Sequence, residues 1–519
     1  MNRPCVFVYA NQGSTVRYLL RTDVLPALES GARVVIIAHR DDERGLREAF
    51  ESENVIIEPF ALEACEDYLR CSKLQRGIKL HRYFVSNGRY DTRTLEDFNR
   101  IWLGAQRWGP GDRWSGRLRG VLWNGARSLL MRSLTLRRGL VWFESRLFAP
   151  RFHRALFEKY KPDLVVTSSP GWWDYDQYIL REARKEKVRT AAVILSWDNT
   201  SGMGMAGAPV DHIVAWTEVM ARELETLHDV PEERISVGGV AHWDPYYEDD
   251  RHLDRESLFD RLGLDPDKKT LFFATKSPTR FPWAPEVTEE IARGIEAGRF
   301  DQPAQILVRL HPIYFRRIGG KGGWPPPLPI DPSEDRQING KLHHERLIEA
   351  FDALEARYPC VVVNKPDLRS DILNCDLPRD EARLVASILK HCDVMVNMFS
   401  TMVIEAAIFD LPSVNLAVAA GFDPAKKGRS RQDINIDYVQ THNQRVIRTG
   451  GVRNAFSMDE FFDAVNAYLR DPSLDAEGRA EIRRVETGPF KGSAGRKIGA
   501  HLLALARMNG PSGNGASHG

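Results

Sequence analysis

Cysteine pairs of the C-x2-C kind are missing from this chain of 519 residues. Its six cysteines stand at 5, 65, 71, 360, 375 and 392, far apart or inside apolar runs. That spacing excludes a zinc ribbon and a disulfide framework, and it predicts buried thiols in a reducing compartment. Net charge is also lacking. With 72 Lys and Arg against 71 Asp and Glu the balance is +1, so no global field draws the chain to nucleic acid. No apolar run approaches the length of a membrane-crossing helix. A strand-like run, Cys5-Val-Phe-Val-Tyr9, begins a few residues after Met1 and leaves no room for a signal peptide. The expectation is a cytoplasmic protein. No H-E-x2-H, G-x4-G-K-[ST] or G-x-S-x-G element appears, and the 14 histidines form no pair with zinc-like spacing.

What is present is an alternation. Hydrophobic content of 43% and charged content of 28% are ordinary for a globular protein, and the length exceeds one core. Short β-branched runs at 5–9, 33–38, 163–167, 190–195, 212–216 and 234–237 alternate with helical patterns at 16–28, 178–187 and 218–227. A second series follows at 270–274, 306–309, 360–364, 394–398 and 413–416. Strands alternating with helices predict parallel, doubly wound sheets. We therefore expect an α/β protein of two Rossmann-like domains: residues 1–243, a charged linker at 244–266, and residues 267–480. A final helix is expected within 481–508, where Phe490-Lys-Gly-Ser-Ala-Gly leads into an apolar run. Residues 319–332, rich in proline and glycine, read as a surface loop. Residues 509–519 read as a disordered tail.

Two signals recur in the second half. Arg309-Leu-His311-Pro312 follows the apolar run Ile306-Leu-Val308. Ser400-Thr401-Met-Val-Ile-Glu405-Ala-Ala-Ile-Phe-Asp-Leu-Pro412 follows Cys392-Asp-Val-Met-Val-Asn-Met-Phe399. Each is a buried-strand pattern that empties into polar residues, and the second opens a helix. In open α/β sheets ligands sit outside the carboxyl ends of strands, so both stretches suit a phosphorylated ligand.

R-x-H-P followed by S-T-x3-E-A-x5-P resembles the donor half of GT-B glycosyltransferases. The similar branch holds capsule-type transferases, CDP-glycerol glycerophosphotransferases and non-hydrolysing UDP-GlcNAc 2-epimerases. The resemblance covers most of residues 265–505. It implies two Rossmann-like domains facing a central cleft, with phosphate contacts from His311, Ser400 and Thr401 and ribose contacts from Glu405. Arg309 shares a strand face with His311. The alternative for each is local: a strand-end histidine, a Ser/Thr helix cap, a surface glutamate. Lys276 and Ser277, after the strand Leu271-Phe-Phe-Ala274, are placed to neutralise a diphosphate leaving group, unless Lys276 is a solvated loop lysine. Lys365, in Asn364-Lys365-Pro366, resembles the base-reading loop.

The first half is expected to present the acceptor. Asn11, Gln12 and Gly13 follow strand one, and Ser168-Ser169-Pro170-Gly171-Trp172-Trp173-Asp174 follows another. Trp197, Asp198 and Asn199 follow a third. An inverting enzyme needs one base, and Asp198 and Asp174 are both candidates; the alternative is that Asp198 shapes a turn and Asp174 caps a helix. Asp174-Tyr-Asp176 also spells D-x-D, but at a helix start it is not read as a metal site. No cofactor or metal is expected, with His311 and Lys276 stabilising the departing diphosphate.

Residues 100–154 stand apart, with 12 arginines, no lysine, five tryptophans and two acids, Asp112 and Glu144. A helical wheel over 117–148 gathers Leu122, Trp123, Leu129, Leu130, Leu136, Leu140, Val141, Phe143 and Leu147 in one half. Arg117, Arg127, Arg132, Arg138 and Arg146 take the other. Such a pattern suits either a helical insertion (about 95–155) packed on its own domain, with arginine stems covering apolar surface, or contact with the inner face of a membrane. The function implied is sugar transfer from a nucleotide-sugar donor to a hydroxyl of a cell-surface polysaccharide or lipid-linked acceptor. A UDP-sugar 2-epimerase, a glycerol-phosphate transferase and a non-catalytic binding protein of the same fold are the alternatives.

Overall fold

The structure, a computed structural model, describes residues 3–38, 43–90, 93–278, 280–315, 343–369, 376–418 and 433–508. The side chains of Glu43, Asp174, His343 and His344 are outside that description, as are the loop expected at 319–332, the tail at 509–519 and Cys375. The chain divides into two compact units, Met1–Asp244 with Gly488–Gly519, and Pro245–Thr487.

The first unit is built on seven parallel strands: β1 Cys5–Ala10, β2 Arg33–Ala38, β3 Val55–Pro59, β4 Leu164–Thr167, β5 Arg189–Val193, β6 His212–Ala215 and β7 Ile235–Val237. Their order in the sheet is β3-β2-β1-β4-β5-β6-β7. Val6 lies opposite Val34 on one side and Leu164 on the other, so the strand order reverses between β1 and β4. All of β1 is buried, as a strand covered on both faces requires, which is why it reads as an unbroken apolar run. Phe7, Tyr9, Val35, Ile37 and Val165 form one face of the core, and Tyr178 and Ile179 from helix Asp174–Lys185 cover it.

The second unit repeats the plan with six parallel strands: β8 Lys269–Ala274, β9 Ala304–Arg309, β10 Val361–Asn364, β11 Val394–Asn397, β12 Ser413–Leu416 and β13 Arg453–Ala455. The order is β10-β9-β8-β11-β12-β13, reversing between β8 and β11. Leu271, Phe273, Ile306, Val308, Val394 and Val396 build its core. The α/β class and the pair of doubly wound sheets are as the alternation predicts.

Details differ from the sequence reading. The helical stretch expected at 16–28 is divided into a π-helical turn Val16–Leu20 and a helix Val24–Glu29. Residues 244–266 are not plain connector, since they carry 3-10 turns and a helix Arg255–Leu262 that buries Leu258 and Phe259. Residues 481–508 hold the end of one helix, Ala476–Glu486, and all of another, Ala494–Arg507. The latter belongs to the first unit. The Asp244 carboxylate accepts from the backbone N–H groups of Ala494 and Gly495 at 2.9 and 2.7 Å, which satisfies two amides of its first turn. Cys71 is exposed, whereas Cys5, Cys65, Cys360 and Cys392 are buried free thiols.

The arginine-rich stretch forms two helices, Trp114–Arg132 and Leu134–Leu147, parted at Ser133. The wheel expectation is corrected here. Gly116, Gly120, Trp123 and Arg127 form the buried face of the first helix, while Leu122 and Leu129 are exposed. Arg127 donates to Phe84 O at 2.7 Å and to Glu96 at 2.8 Å, and Arg137 meets Asp229 at 2.6 Å. A wheel over 117–148 cannot contain these carboxylates, because both lie outside it. Two glycines explain the close packing: a Cβ at Gly116 or Gly120 would stand 2.3 or 2.0 Å from the carbonyl oxygens of Arg107 and Trp108.

Candidate functional site

In a parallel sheet the crevice for a ligand opens where the strand order reverses, at the carboxyl ends of the two strands concerned. In the first unit those ends are Ala10 of β1 and Thr167 of β4. Asn11 Nδ2 donates to Asp176 Oδ1 at 3.1 Å. Ser169 and Ser168 hydroxyls donate to Asp176 Oδ2 at 2.6 and 3.2 Å, and Gln12 Nε2 donates to Ser168 Oγ at 3.3 Å. Asp176 thus gathers both loops onto one fully buried carboxylate. Burial pushes its carboxyl up to about 7, against the lowering contributed by Ser169, Ser168 and Asn11. Asn11 and Gln12 are marked in the sequence by their place after a strand, whereas Asp176 shows there only as the second acid of the D-x-D at a helix start.

Gly13 starts the short helix that follows, Gly13–Thr15. Asp198 is half-buried after β5, where it accepts from the Ser196 hydroxyl and, at 3.5 Å, from Asn199 Nδ2. Trp197 and Asn199 on either side are buried. Asp174 is the first residue of its helix. A further group went unnoticed in the sequence: His242 is buried among Tyr18, Trp216 and Trp243, its ring 3.8 Å from that of Tyr18. Burial first, then the nearby Arg17 charge, holds its pKa well below the usual histidine value, so it is neutral.

In the second unit the reversal lies between β8 and β11. Thr275, just past β8, donates its N–H to Arg309 O at 3.0 Å, and its hydroxyl accepts from His311 N–H at 2.9 Å. The loops after β8 and β9 are thereby tied together. His311 Nδ1 accepts from the backbone N–H of Ile313 at 3.1 Å. A ring nitrogen that accepts carries no proton, so Nε2 holds it and is the donor. The arrangement suits an anion.

Lys276 meets Asp437 at 2.8 Å, its side chain 15% exposed, so it is not a solvated loop lysine. Asp437 sits in helix Ile434–Val439. Ser277 accepts from the N–H groups of Arg280 and Phe281 through its carbonyl. Arg309 is buried, its guanidinium committed to Glu381 and to Asn364 Oδ1. It pins β9 to its neighbours. Lys365 pairs with Asp352 at 2.7 Å on the half-exposed side of helix His343–Arg357.

Beyond β11, Phe399 adopts a left-handed φ of 52°, a strained backbone for a residue with a side chain. Ser400 Oγ donates to Asn397 Oδ1 at 2.6 Å. Asn397 Nδ2 donates to Asn415 Oδ1 at 2.9 Å, and Asn415 Nδ2 to Asn454 Oδ1 at 3.1 Å. These asparagines lie in register across β11, β12 and β13. Because the Ser400 proton points inward, its hydroxyl offers only lone pairs outward while that bond holds. Thr401 precedes helix Met402–Ile408 without capping an amide through its side chain. Glu405 is buried, not a surface glutamate, and accepts from the Tyr246 hydroxyl. The structure therefore brings Lys276, His311, Ser400, Thr401 and Glu405 to one edge of one sheet, with Asp437 and Tyr246 as partners the sequence did not reveal. It pairs all three cations, Lys276, Arg309 and Lys365, with protein carboxylates. Among the described residues no group of three or more His, Cys, Asp or Glu could hold a metal ion.

No protein-family profile matches the chain, and no curated protein matches it by sequence. Solved structures do match. A Listeria monocytogenes protein described as a UDP-N-acetylglucosamine 2-epimerase has a TM-score of 0.50 at 10% identity, over 98% of this chain and 99% of that one. The Neisseria meningitidis UDP-GlcNAc 2-epimerase bound to UDP-GlcNAc scores 0.47 at 11% identity, over 96% and 99%. A Rickettsia africae glycosyltransferase scores 0.45 at 8% identity, over 98% and 100%. The first of these likenesses spans both units and shows the fold. It is the GT-B fold, with two doubly wound α/β domains.

Proposed function

We propose that the chain is a nucleotide-sugar-dependent glycosyltransferase whose donor binds at the carboxyl edge of the second sheet. The observation that carries this reading is the placement of Lys276 (ion-paired with Asp437), His311 and buried Glu405 on the segments that directly follow β8, β9 and β11, beside the reversal of the strand order. In it, His311 Nε2–H and Lys276 face the diphosphate, and Glu405, oriented by Tyr246, accepts two ribose hydroxyls. Thr401 lines the phosphate end, and Ser400 joins it when its hydroxyl turns from Asn397 Oδ1 to donate outward. Asp198 or Asp174 takes the proton of the acceptor hydroxyl, with Asn11, Gln12 and Asn199 shaping the acceptor side. The acceptor is a saccharide or a lipid-linked saccharide, and the chemistry uses no metal. A UDP-sugar 2-epimerase is the second reading, favoured by the name the Listeria protein carries. Epimerisation needs no acceptor, so turnover of UDP-sugar alone separates the two.

Calorimetry and thermal shift against UDP, CDP, CMP and GDP test the donor site. One nucleotide is expected to stabilise the protein by mass action, and Glu405→Ala to weaken its binding by about 1.5–3 kcal/mol. Glu405→Gln controls for the buried cavity. In the same assay with acceptor, losing the base costs roughly a hundredfold to ten-thousandfold in turnover. Unchanged affinity for every nucleotide in Glu405→Ala removes the donor site, and full turnover in both Asp198→Asn and Asp174→Asn removes the base.

A further inference from the structure

The helices Trp114–Arg132 and Leu134–Leu147 turn apolar side chains outward. Opposite its buried face, the first carries Trp114, Val121, Leu122 and Leu129, exposed by 77%, 68%, 64% and 61%. These positions, with Leu118, follow helical spacing and form one stripe. The second helix exposes Trp142, Phe143 and Leu147. A run of this kind on a protein surface marks an interaction site.

Charge identifies the occupant. Every exposed charge on the two helices is positive: Arg117, Arg119, Arg132, Arg138 and Arg146. Arg117 and Arg119 fall on either side of the first stripe. The single acid of the pair, Glu144, is fully buried and bridges Arg82 and Arg181. Buried Arg127 and Arg137 are neutralised by Glu96 and Asp229. What these two helices turn to solvent is therefore largely aromatic, aliphatic and cationic, with no exposed carboxylate on either helix.

We propose that this face docks reversibly in the plane of an anionic lipid surface. Tryptophan and leucine side chains reach the acyl boundary, and the arginines lie among headgroup phosphates. A second copy of the chain fits poorly, because twofold pairing sets the same arginines against each other. No helix among the described residues is long and apolar enough to cross a membrane, so attachment is to the surface. The inference stands independently of the nucleotide site.

Co-sedimentation of the full chain with vesicles of phosphatidylcholine alone or with one quarter phosphatidylglycerol tests it, read at low and high salt. The expected result is recovery with anionic vesicles that falls at least tenfold at high salt. Recovery should fall comparably in Arg117→Glu/Arg119→Glu/Arg132→Glu and in Leu122→Glu/Leu129→Glu. All five positions are exposed, and circular dichroism checks that the variants fold. Wild type remaining in the supernatant at low salt overturns the proposal, as does equal recovery of wild type and both folded variants. A concentration-dependent dimer, lost in Leu122→Glu/Leu129→Glu and indifferent to vesicles, overturns it in favour of a second copy.

Discussion

A single buried carboxylate illustrates how much one residue can organise. Asp176 receives hydrogen bonds from Asn11, Ser168 and Ser169, and through Ser168 it also places Gln12. Its carboxyl is raised by burial from 3.8 to about 7, so between those values the folded protein holds a proton that the unfolded chain has released. Stability from this group is complete below the lower value, falls as pH rises through the window, and is flat above it. The fall is on the order of 4 kcal/mol. Urea midpoints across pH 4 to 8 should show that slope in wild type and a shallower one in Asp176→Asn, which stays uncharged; equal slopes assign it elsewhere. The carboxylate was illegible in the sequence because its partners lie up to 165 positions away. His311 and Glu405 were legible for the opposite reason, since each sits in a short motif directly after a strand. Their partners Thr275 and Tyr246 come from distant loops and carry no local mark.

Among the elements, most strands were easy to see as short apolar or β-branched runs, the edge strands β7 and β10 included, whereas the edge strands β3 and β13 were not. β1 is apolar throughout, whereas β3 buries only Val55 and Ile57 and β13 has three residues, of which Ala455 alone is buried. The arginine-rich helices were visible as helices, but which face turns inward depends on Glu96 and Asp229, outside the segment. Packing of the last helix is similarly particular. A Cβ on Gly499 would stand 2.5 Å from Ala27 Cβ and 2.7 Å from Val24 O, so helix Ala494–Arg507 lies directly against helix Val24–Glu29. Gly499→Val should cost about 1–3 kcal/mol through overpacking, measured as a lower denaturation midpoint. Gly139, on the exposed helix Leu134–Leu147 and with nothing near its Cβ, is the control.

Across the whole molecule, the chain leaves the first unit at Asp244 and re-enters it at Gly488, so the second unit is an insertion within the first. A chain ending at Thr487 should lose the cooperative unfolding of the first unit yet keep whatever affinity the full chain shows for the nucleotide proposed to bind the second. Calorimetry and nucleotide titration on that chain check the point, and loss of both activities together would show that the second unit does not fold by itself. The insertion also sets a timetable during synthesis. Ribosomes add roughly 5–20 residues each second, so tens of seconds separate the emergence of Asp244 from that of helix Ala494–Arg507. Throughout that interval Val24, Ala27 and their neighbours lack the helix that covers them. The nascent chain therefore exposes an apolar seam until helix Ala494–Arg507 has been made, and the first unit to be started is the last to mature.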